Sequence, residues 1–122
     1  MIRLIAAVCL LCALLGLAVA SGQHMQRITW QLEEILLIGS SYCTENDFAN
    51  AQKETERYLL TLRKNQVFLN LFARKETLQT LYSYSAQLTA YIKRENMNDY
   101  VAVANAACSI LSQLREQARA AI

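Results

Sequence analysis

The chain contains no proline and only three glycines in 122 residues. Because proline inside a helix costs about 3 kcal/mol, its absence leaves long helices open to the whole chain. Apolar residues recur at alternating spacings of three and four from Gln23 onward, whereas the strict apolar–polar alternation that is typical of strands is not sustained anywhere. Composition and periodicity together predict an all-α protein.

The N-terminal segment is the second strong feature. Leu4–Ala20 is an unbroken run of uncharged, mostly apolar residues behind a single Arg3. Its 17 residues lie at the short limit for a membrane span and slightly exceed a typical signal-peptide core. We therefore expect residues 1–22 to be a signal peptide or a membrane anchor, and residues 23–122 to form a helical bundle domain.

The sequence leaves three outcomes open for this segment. The small residues of Ala18-Val19-Ala20 allow cleavage after Ala20, and cleavage after Ser21 is a second alternative. Retention would make the segment an anchor. In each case we expect an exported protein, either held at a membrane facing outside the cytoplasm or secreted.

The apolar stripes of the remainder predict four helices. A single helix from Ala49 to Arg94 would be about 70 Å long at 1.5 Å per residue, which is too long for so small a domain. The polar residues 73–76 are therefore the expected break. The four predicted helices have bounds of about 23–43, 46–73, 76–94 and 97–120.

Two helix starts carry the spacing of a capping box. Thr44–Asp47 and Asn96–Asp99 each place a capping side chain three residues before a carboxylate. An aromatic residue follows each of them, Phe48 and Tyr100, at an offset of 52 residues, and we expect both rings to pack inward. The matches indicate two related helical hairpins. Because a solenoid normally needs three or more repeats, a closed up-down four-helix bundle is preferred.

The charge balance excludes one class of function. The chain has 12 basic and 10 acidic residues, for a formal net charge of +2. Nucleic-acid binding requires many cations that neutralise phosphates. We therefore expect no nucleic-acid partner.

No converging set of catalytic groups is present. His24 is the only histidine, so a histidine-based triad or zinc site has no second member. The carboxylates of Glu33-Glu34, Glu54 and Glu56 are interpreted as a solvated helix face. The sequence predicts no enzyme, no cofactor and no metal site.

Copper is the one alternative to that expectation. Cleavage after Ser21 would leave Gly22-Gln23-His24 as the N-terminus, whose amino group, two backbone amides and imidazole can bind Cu(II) in a plane. Cleavage after Ala20 would put His24 fourth and abolish that geometry. We interpret His24 as a polar linker residue.

The cysteines are interpreted as apolar residues rather than as a disulfide framework. Cys9 and Cys12 lie in the N-terminal segment. In the predicted bundle Cys43 lies at the distal tip, the end far from that segment, and Cys108 lies about 18 Å down the axis at the helical rise. A disulfide requires Cα atoms within about 7 Å, so we expect Cys43 and Cys108 not to be joined.

The chain resembles the family known as domain of unknown function 4363. The resemblance rests on the apolar N-terminal segment, on Asn46-Asp47-Phe48 with Ala51, and on the stretch from Phe72 through Lys93. Members of that family are short bacterial proteins with an apolar N-terminal segment and a helical remainder, and the family has no established activity. The resemblance implies a location and a shape, but no chemistry.

These features predict a non-catalytic binding or assembly module at the outer face of a membrane, with a protein partner at the distal tip. In an up-down bundle one end lies at the membrane, and basic side chains gathered there would contact anionic headgroups. The residues of this predicted basic collar are Arg27, Arg63, Lys64, Arg74, Lys75, Arg115 and Arg119.

Aromatic residues of the third predicted helix support an interaction surface. Tyr82, Tyr84 and Tyr91 cannot all face one narrow core stripe, so we expect exposed aromatic surface, which often marks an interface. The alternative function is a soluble secreted bundle that binds a ligand in a pocket between its helices.

Overall fold

A computed structural model of the chain describes residues 1–120, and at Arg119 and Ala120 it describes the backbone alone. Within this range the chain forms five α-helices and no strand, which confirms the predicted all-α class. In chain order the helices are α1 (Ile2–Thr44), α2 (Phe48–Lys64), α3 (Gln66–Phe72), α4 (Lys75–Lys93) and α5 (Met97–Ala120).

α1 is one unbroken helix of 43 residues, about 65 Å long at 1.5 Å per residue. Its first half, through Ala20, is exposed at every position, whereas its second half buries a stripe that begins at Gly22. The helix predicted at 23–43 is therefore the second half of α1, with no turn before it. The interpretation of His24 as a linker residue is wrong, because His24 lies inside this helix.

The turn after α1 ends one helix and begins the next within three residues. Asn46 has a φ of 63°, and the backbone N–H groups of Asn46 and Asp47 donate to the carbonyls of Cys43 and Tyr42 at 3.1 and 2.9 Å. This pattern is a Schellman motif, which satisfies carbonyls that the helix end leaves unpaired. The Asp47 carboxylate then caps α2 by accepting from the backbone N–H of Asn50 at 3.4 Å.

The capping residue predicted for this helix start is wrong. The hydroxyl of Thr44 donates to the carbonyl of Ser40 at 2.8 Å and so serves α1 itself. The capping role falls to Asp47, three residues later.

The turn between α4 and α5 repeats the first turn. Glu95 has a φ of 53°, and the backbone N–H groups of Glu95 and Asn96 donate to the carbonyls of Ile92 and Tyr91 at 3.2 and 3.0 Å. The side chain of Asn96 accepts from the backbone N–H of Asp99 at 3.3 Å. This helix start is capped as predicted.

The two hairpins are equivalent at an offset of 49 residues, and the predicted offset of 52 is wrong. At this offset Asn46 matches Glu95, the residue with left-handed backbone in each turn, and Asp47 matches Asn96, the N-cap residue of each turn. Phe48 therefore corresponds to Met97 rather than to Tyr100. Tyr100 is buried as expected, and Phe48 is half-buried. The buried pairs are Thr29 with Leu78, Leu32 with Leu81, Leu36 with Ser85, Gly39 with Leu88, Cys43 with Ile92, Ala51 with Tyr100, Thr55 with Ala104, Tyr58 with Ala107, and Leu62 with Leu111.

The helix predicted at 46–73 is interrupted at Asn65. The backbone of Asn65, with φ −101° and ψ 10°, departs from helical values, and its side-chain amide donates to the carbonyl of Thr61 at 2.8 Å. The segment therefore forms two helices, α2 and the short α3. Extended backbone at Arg74, with ψ 131°, then separates α3 from α4 and confirms the break predicted at 73–76.

α1 is the centre of the helix packing. Its second half contacts α2 and α5, and α4 contacts α5 closely and α2 more loosely. α3 contacts its two neighbours in the chain, α2 and α4. The core lies between these helices, and the first half of α1 takes no part in it.

Two buried tyrosine hydroxyls bond to hydroxyls on other helices. Tyr58 Oη lies 2.7 Å from Ser85 Oγ, and Tyr100 Oη lies 2.7 Å from Thr55 Oγ1. Ser85 and Thr55 each donate to a carbonyl four residues back in their own helix, so both tyrosines are the donors across the interface. Burial raises the pKa of Tyr58 and of Tyr100 above the ordinary value of 10.0, which keeps these donors protonated.

The position of Tyr100 explains the glycine at position 39. A Cβ atom added to Gly39 would lie 2.8 Å from Tyr100 Oη and 3.6 Å from Glu54 Cβ. The hydroxyl cannot withdraw without lengthening its bond to Thr55. A side chain at position 39 therefore competes with a buried hydrogen bond.

We expect Gly39→Ala to lower the free energy of unfolding by roughly 1–3 kcal/mol, as overpacking a core typically does. In a Tyr100→Phe background the clashing oxygen is gone, so the same substitution should cost much less. Tyr100→Phe alone should cost about 1 kcal/mol for the lost hydrogen bond. Chemical denaturation of the four proteins measures the coupling, and helix propensity cancels because it is common to both backgrounds. Equal costs in the two backgrounds would contradict this contact.

The left-handed backbone at Glu95 predicts a stabilising substitution. A residue with a side chain pays roughly 1–2 kcal/mol in this conformation, whereas glycine adopts it without that penalty. Glu95 is exposed, so Glu95→Gly should raise the free energy of unfolding by about 1 kcal/mol. Asn46→Gly is the matched comparison and should gain less, because asparagine tolerates this region. Thermal melts check both, and a lower melting temperature for Glu95→Gly would count against the turn geometry.

Candidate functional site

The first half of α1 presents apolar surface on all sides. Every residue from Met1 to Ala20 is exposed, and Arg3 is the one charged side chain among them. Of the helices that the structure describes, α1 is the one long and apolar enough to cross a membrane. Ile2–Ala20 is about 28 Å long at 1.5 Å per residue, close to the roughly 30 Å hydrocarbon core of a bilayer.

α3 lies beside the point where α1 enters the bundle. The ring of Phe68 meets the ring of His24 edge to face, with centroids 4.5 Å apart, and lies 4.7 Å from the ring of Phe72. Leu69 is fully buried. This ring contact places α3 beside α1 at His24, four residues past the end of the exposed apolar half.

The exposed surface of α3 carries uncovered apolar side chains beside the polar residues Gln66 and Asn70. Val67, Leu71 and Phe72 are 74%, 72% and 50% exposed. Val67 and Leu71 are four residues apart, so they share one face of the helix. Periodicity did not predict this surface, because the apolar pattern of 46–73 is that of one helix. The available signal is that five of the seven residues of α3 are apolar, more than a single buried face requires.

A cleft of about 580 Å³ opens beside α3. Met25 of α1, Phe72 of α3 and Leu114 of α5 line it, together with the charged residues Arg74 and Glu116. The start of the core half of α1, the end of α3, the start of α4 and the last turns of α5 therefore meet at one end of the protein. We call this the proximal end.

The structure brings part of the predicted basic collar together there. Arg63 and Lys64 are the last residues of α2, and Arg74 and Lys75 lie at the start of α4. All four are exposed, and they flank α3 at its two ends. These four cations, with α3 between them, form one continuous segment of the chain.

The other three residues of the predicted collar lie outside this segment. Arg27 is exposed on α1, about one turn beyond His24. The side chain of Arg119 lies outside the described residues. Arg115 has a different role, set by its contacts.

The charge of Arg115 is paired within the protein and does not belong to an exposed basic collar. Its guanidinium donates to a carboxylate oxygen of Glu33 at 2.7 Å and lies 4.1 Å from the centroid of the Trp30 ring. Glu33 is 9% exposed, so its interpretation as part of a solvated face is wrong. The charge of Arg115 joins α5 to α1, which removes it from the predicted collar.

The chemistry of this cluster is structural. A paired guanidinium and carboxylate over an indole ring hold two helices in register. The nearby thiol of Cys108 is not activated: its pKa is raised to about 11, mainly by burial and also by Glu33, with Arg115 acting in the opposite direction. A thiol with such a pKa stays protonated near neutral pH and is a poor nucleophile.

The remaining cysteines and acids are dispersed in the part of the chain that the structure describes. Across residues 1–120 no group of three or more His, Cys, Asp or Glu side chains converges. Cys43 and Cys108 are both free thiols, and burial raises the pKa of Cys43 as well. Cys9 and Cys12 are exposed on the apolar half of α1.

The exposed aromatic surface lies elsewhere than predicted. Tyr82, Tyr84 and Tyr91 lie outside the buried stripe of α4, as predicted, but they are half-buried and pack against the core, so the expected exposed aromatic surface is not there. Trp30 is instead 62% exposed on α1, and Leu37, two turns farther along the same face, is also exposed. Sequence periodicity did not single out this pair.

Comparison with known proteins adds no relative: no family model, no curated protein and no solved structure matches the chain. The resemblance to domain of unknown function 4363 stays a prediction. Function must be inferred from the surfaces described above.

We expect Arg115→Ala to lower the free energy of unfolding by about 2 kcal/mol, because a hydrogen bond to a charged group is typically worth about 1.5–3 kcal/mol. A double-mutant cycle with Glu33→Gln isolates the pair. The control is Arg57→Ala: Arg57 and Glu54 form an ion pair of 3.2 Å within α2, with Arg57 55% exposed, and its loss should cost below about 1 kcal/mol. Similar costs at the two arginines would show that the Glu33 pair does not hold α1 to α5.

Proposed function

We propose that this protein is a non-catalytic binding or assembly module, held at the outer face of a membrane by the first half of α1. In this proposal residues 1–22 are a retained anchor and residues 23–122 form an up-down four-helix bundle of two hairpins. One observation carries the proposal: the apolar half of α1 continues without a break into the helix on which the bundle is built.

Leaving the apolar residues of the first half of α1 in water is strongly unfavourable in free energy. Ten large aliphatic side chains between Ile2 and Val19 are exposed. At about 1.5–3 kcal/mol for burying each one, they represent roughly 15–30 kcal/mol. That exceeds the roughly 5–15 kcal/mol by which a whole domain is stable. The segment therefore needs a lipid environment or removal.

The continuity of α1 favours retention over removal. The helix runs through Ala18–Gly22, where cleavage is the alternative, and Gly22 is already buried. The hydroxyl of Ser21 donates to the carbonyl of Ala18 at 2.9 Å within the same turn. Cleavage after Ala20 or Ser21 would cut the helix at the edge of the bundle.

Contacts between distant residues support the up-down arrangement. Arg115 near the end of α5 pairs with Glu33 in α1, and Gln117 donates to Thr77 at the start of α4 at 3.2 Å. Both hairpin turns then lie at the end away from the membrane, which is the distal tip. α3 lies at the opposite, proximal end.

The surface best suited to a protein partner is the α1 face that carries Trp30 and Leu37. Above the apolar half of α1, the exposed large apolar residues lie on α1, α2 and α3, and among the described residues none lies in a hairpin turn. A partner at the distal tip therefore stays a prediction, because the described residues of the hairpin turns offer it no exposed apolar side chain. Exposed aromatic and aliphatic residues on one face are typical of interfaces.

A soluble secreted protein that binds a ligand is the second candidate. The 580 Å³ cleft beside α3 supports it, because ligand pockets commonly measure about 300–1,000 Å³. In this candidate the leader is cleaved, and the cleft faces solvent rather than lipid.

Retention of the anchor predicts a membrane protein with four cysteines. The mature protein should resist alkaline extraction from membranes, and its intact mass should include residues 1–20. Complete alkylation after denaturation should add four groups, because Cys9 and Cys12 remain. A soluble product that starts at Ser21 or Gly22 and adds two groups would overturn the anchor and favour the secreted candidate.

The outward orientation has its own test. Asn98 is exposed beside the second hairpin turn, so Asn98→Cys places an accessible thiol at the distal tip. A membrane-impermeant maleimide should label this variant in intact cells. The parent is the control, since Cys43 and Cys108 are at least half-buried with raised pKa values. Labelling only after lysis would place the bundle on the cytoplasmic side.

A further inference from the structure

We propose that α3 is a second membrane contact, which inserts Val67, Leu71 and Phe72 into the headgroup region beside the α1 anchor. This inference rests on the proposed anchoring of the protein by α1. It assigns a role to α3 that the predicted basic collar did not contain, because the collar rested on charge alone.

The level of α3 relative to the anchor is the first support. The exposed apolar half of α1 ends at Ala20, and the rings of His24 and Phe68 are in contact. Four residues of helix rise about 6 Å. Because the headgroup region adds roughly 5–8 Å to each side of the hydrocarbon core, α3 lies at headgroup depth when α1 spans the bilayer.

The two faces of α3 are the second support. Leu69 and Phe68 hold the helix to the bundle from inside, whereas Val67 and Leu71 point away from the core. Phe72 lies at the edge between these two faces, half exposed and with its ring 4.7 Å from that of Phe68. An apolar outer face at this depth would meet the boundary between headgroups and acyl chains, as in helices that lie in the membrane plane.

The charges around α3 are the third support. From Tyr58 through Lys75 the chain contains four cations and no acidic residue. The four cations are Arg63, Lys64, Arg74 and Lys75, which flank the apolar face at both ends and are exposed. Basic residues beside an apolar face match a surface of anionic lipid.

A second copy of the chain fits this face less well. A stable interface buries about 800 Å² on each partner. Three side chains supply at most roughly 600 Å², even at about 200 Å² for each. The cations on both sides would also repel their counterparts across a symmetric contact.

Bromolipid quenching of tryptophan fluorescence tests the proposal in the full chain. Trp30 is the single tryptophan, so Trp30→Phe provides a silent background. Phe72→Trp in that background reports on α3, and Leu37→Trp is the matched control, exposed on α1 about 25 Å beyond Ala20 at the helical rise. The vesicles contain phosphatidylcholine and phosphatidylglycerol with brominated acyl chains.

We expect the bromine of the lipid chains to quench the fluorescence of Phe72→Trp strongly, and vesicle binding to shift its emission to shorter wavelength. The fluorescence of the Leu37→Trp control should be the same in brominated and unbrominated vesicles. If both variants float with the vesicles but their quenching is equally weak, the α3 contact is wrong and the α1 anchor stands. If Phe72→Trp is shielded from aqueous iodide without bromine quenching, a second copy or another protein covers α3, which also overturns the proposal. Failure of either variant to float overturns the anchor and this inference with it.

Discussion

One helix with two different kinds of surface is the constraint on which the rest of the structure depends. The first half of α1 exposes apolar side chains in all directions, and the second half buries one stripe against α2 and α5. Because no turn separates the halves, the rotation and depth of the first half fix those of the second. The position of α3 beside His24, and the assignment of a proximal and a distal end, follow from this continuity.

Periodicity predicted the features that depend on local sequence. The helical class, the cap at Asn96 and the break near Arg74 are all encoded within a few residues. One of the features that it missed depends on a distant partner. Glu33 looked like a solvated acid because the residue that pairs with it, Arg115, lies 82 positions away. The break at Asn65 has no glycine or proline to mark it, and α3 follows from that break.

The sequence did not predict the correct equivalence of the two hairpins, because equivalent positions match in burial more than in residue identity. At the offset of 49 residues large and small side chains exchange places. Gly39 of the first hairpin lies against Tyr100 of the second, and the equivalent positions hold a leucine and an alanine, so a large residue in one hairpin matches a small one in the other. The exchanged positions are Gly39 with Leu88, Ala51 with Tyr100, Leu36 with Ser85, and Tyr58 with Ala107.

If α1 is anchored in a bilayer as proposed, its unbroken length couples the membrane to the far end of the protein. From Ala20 to Thr44 it extends about 36 Å at the helical rise. Membrane-spanning helices tilt by about 20° on average, so at that tilt the hairpin turns would move sideways by roughly 12 Å relative to an upright helix. A change in bilayer thickness would therefore reach the far end of the protein as a lateral displacement, through a helix with no hinge. A contact on one flank, at α3, would oppose tilting in some directions and permit it in others.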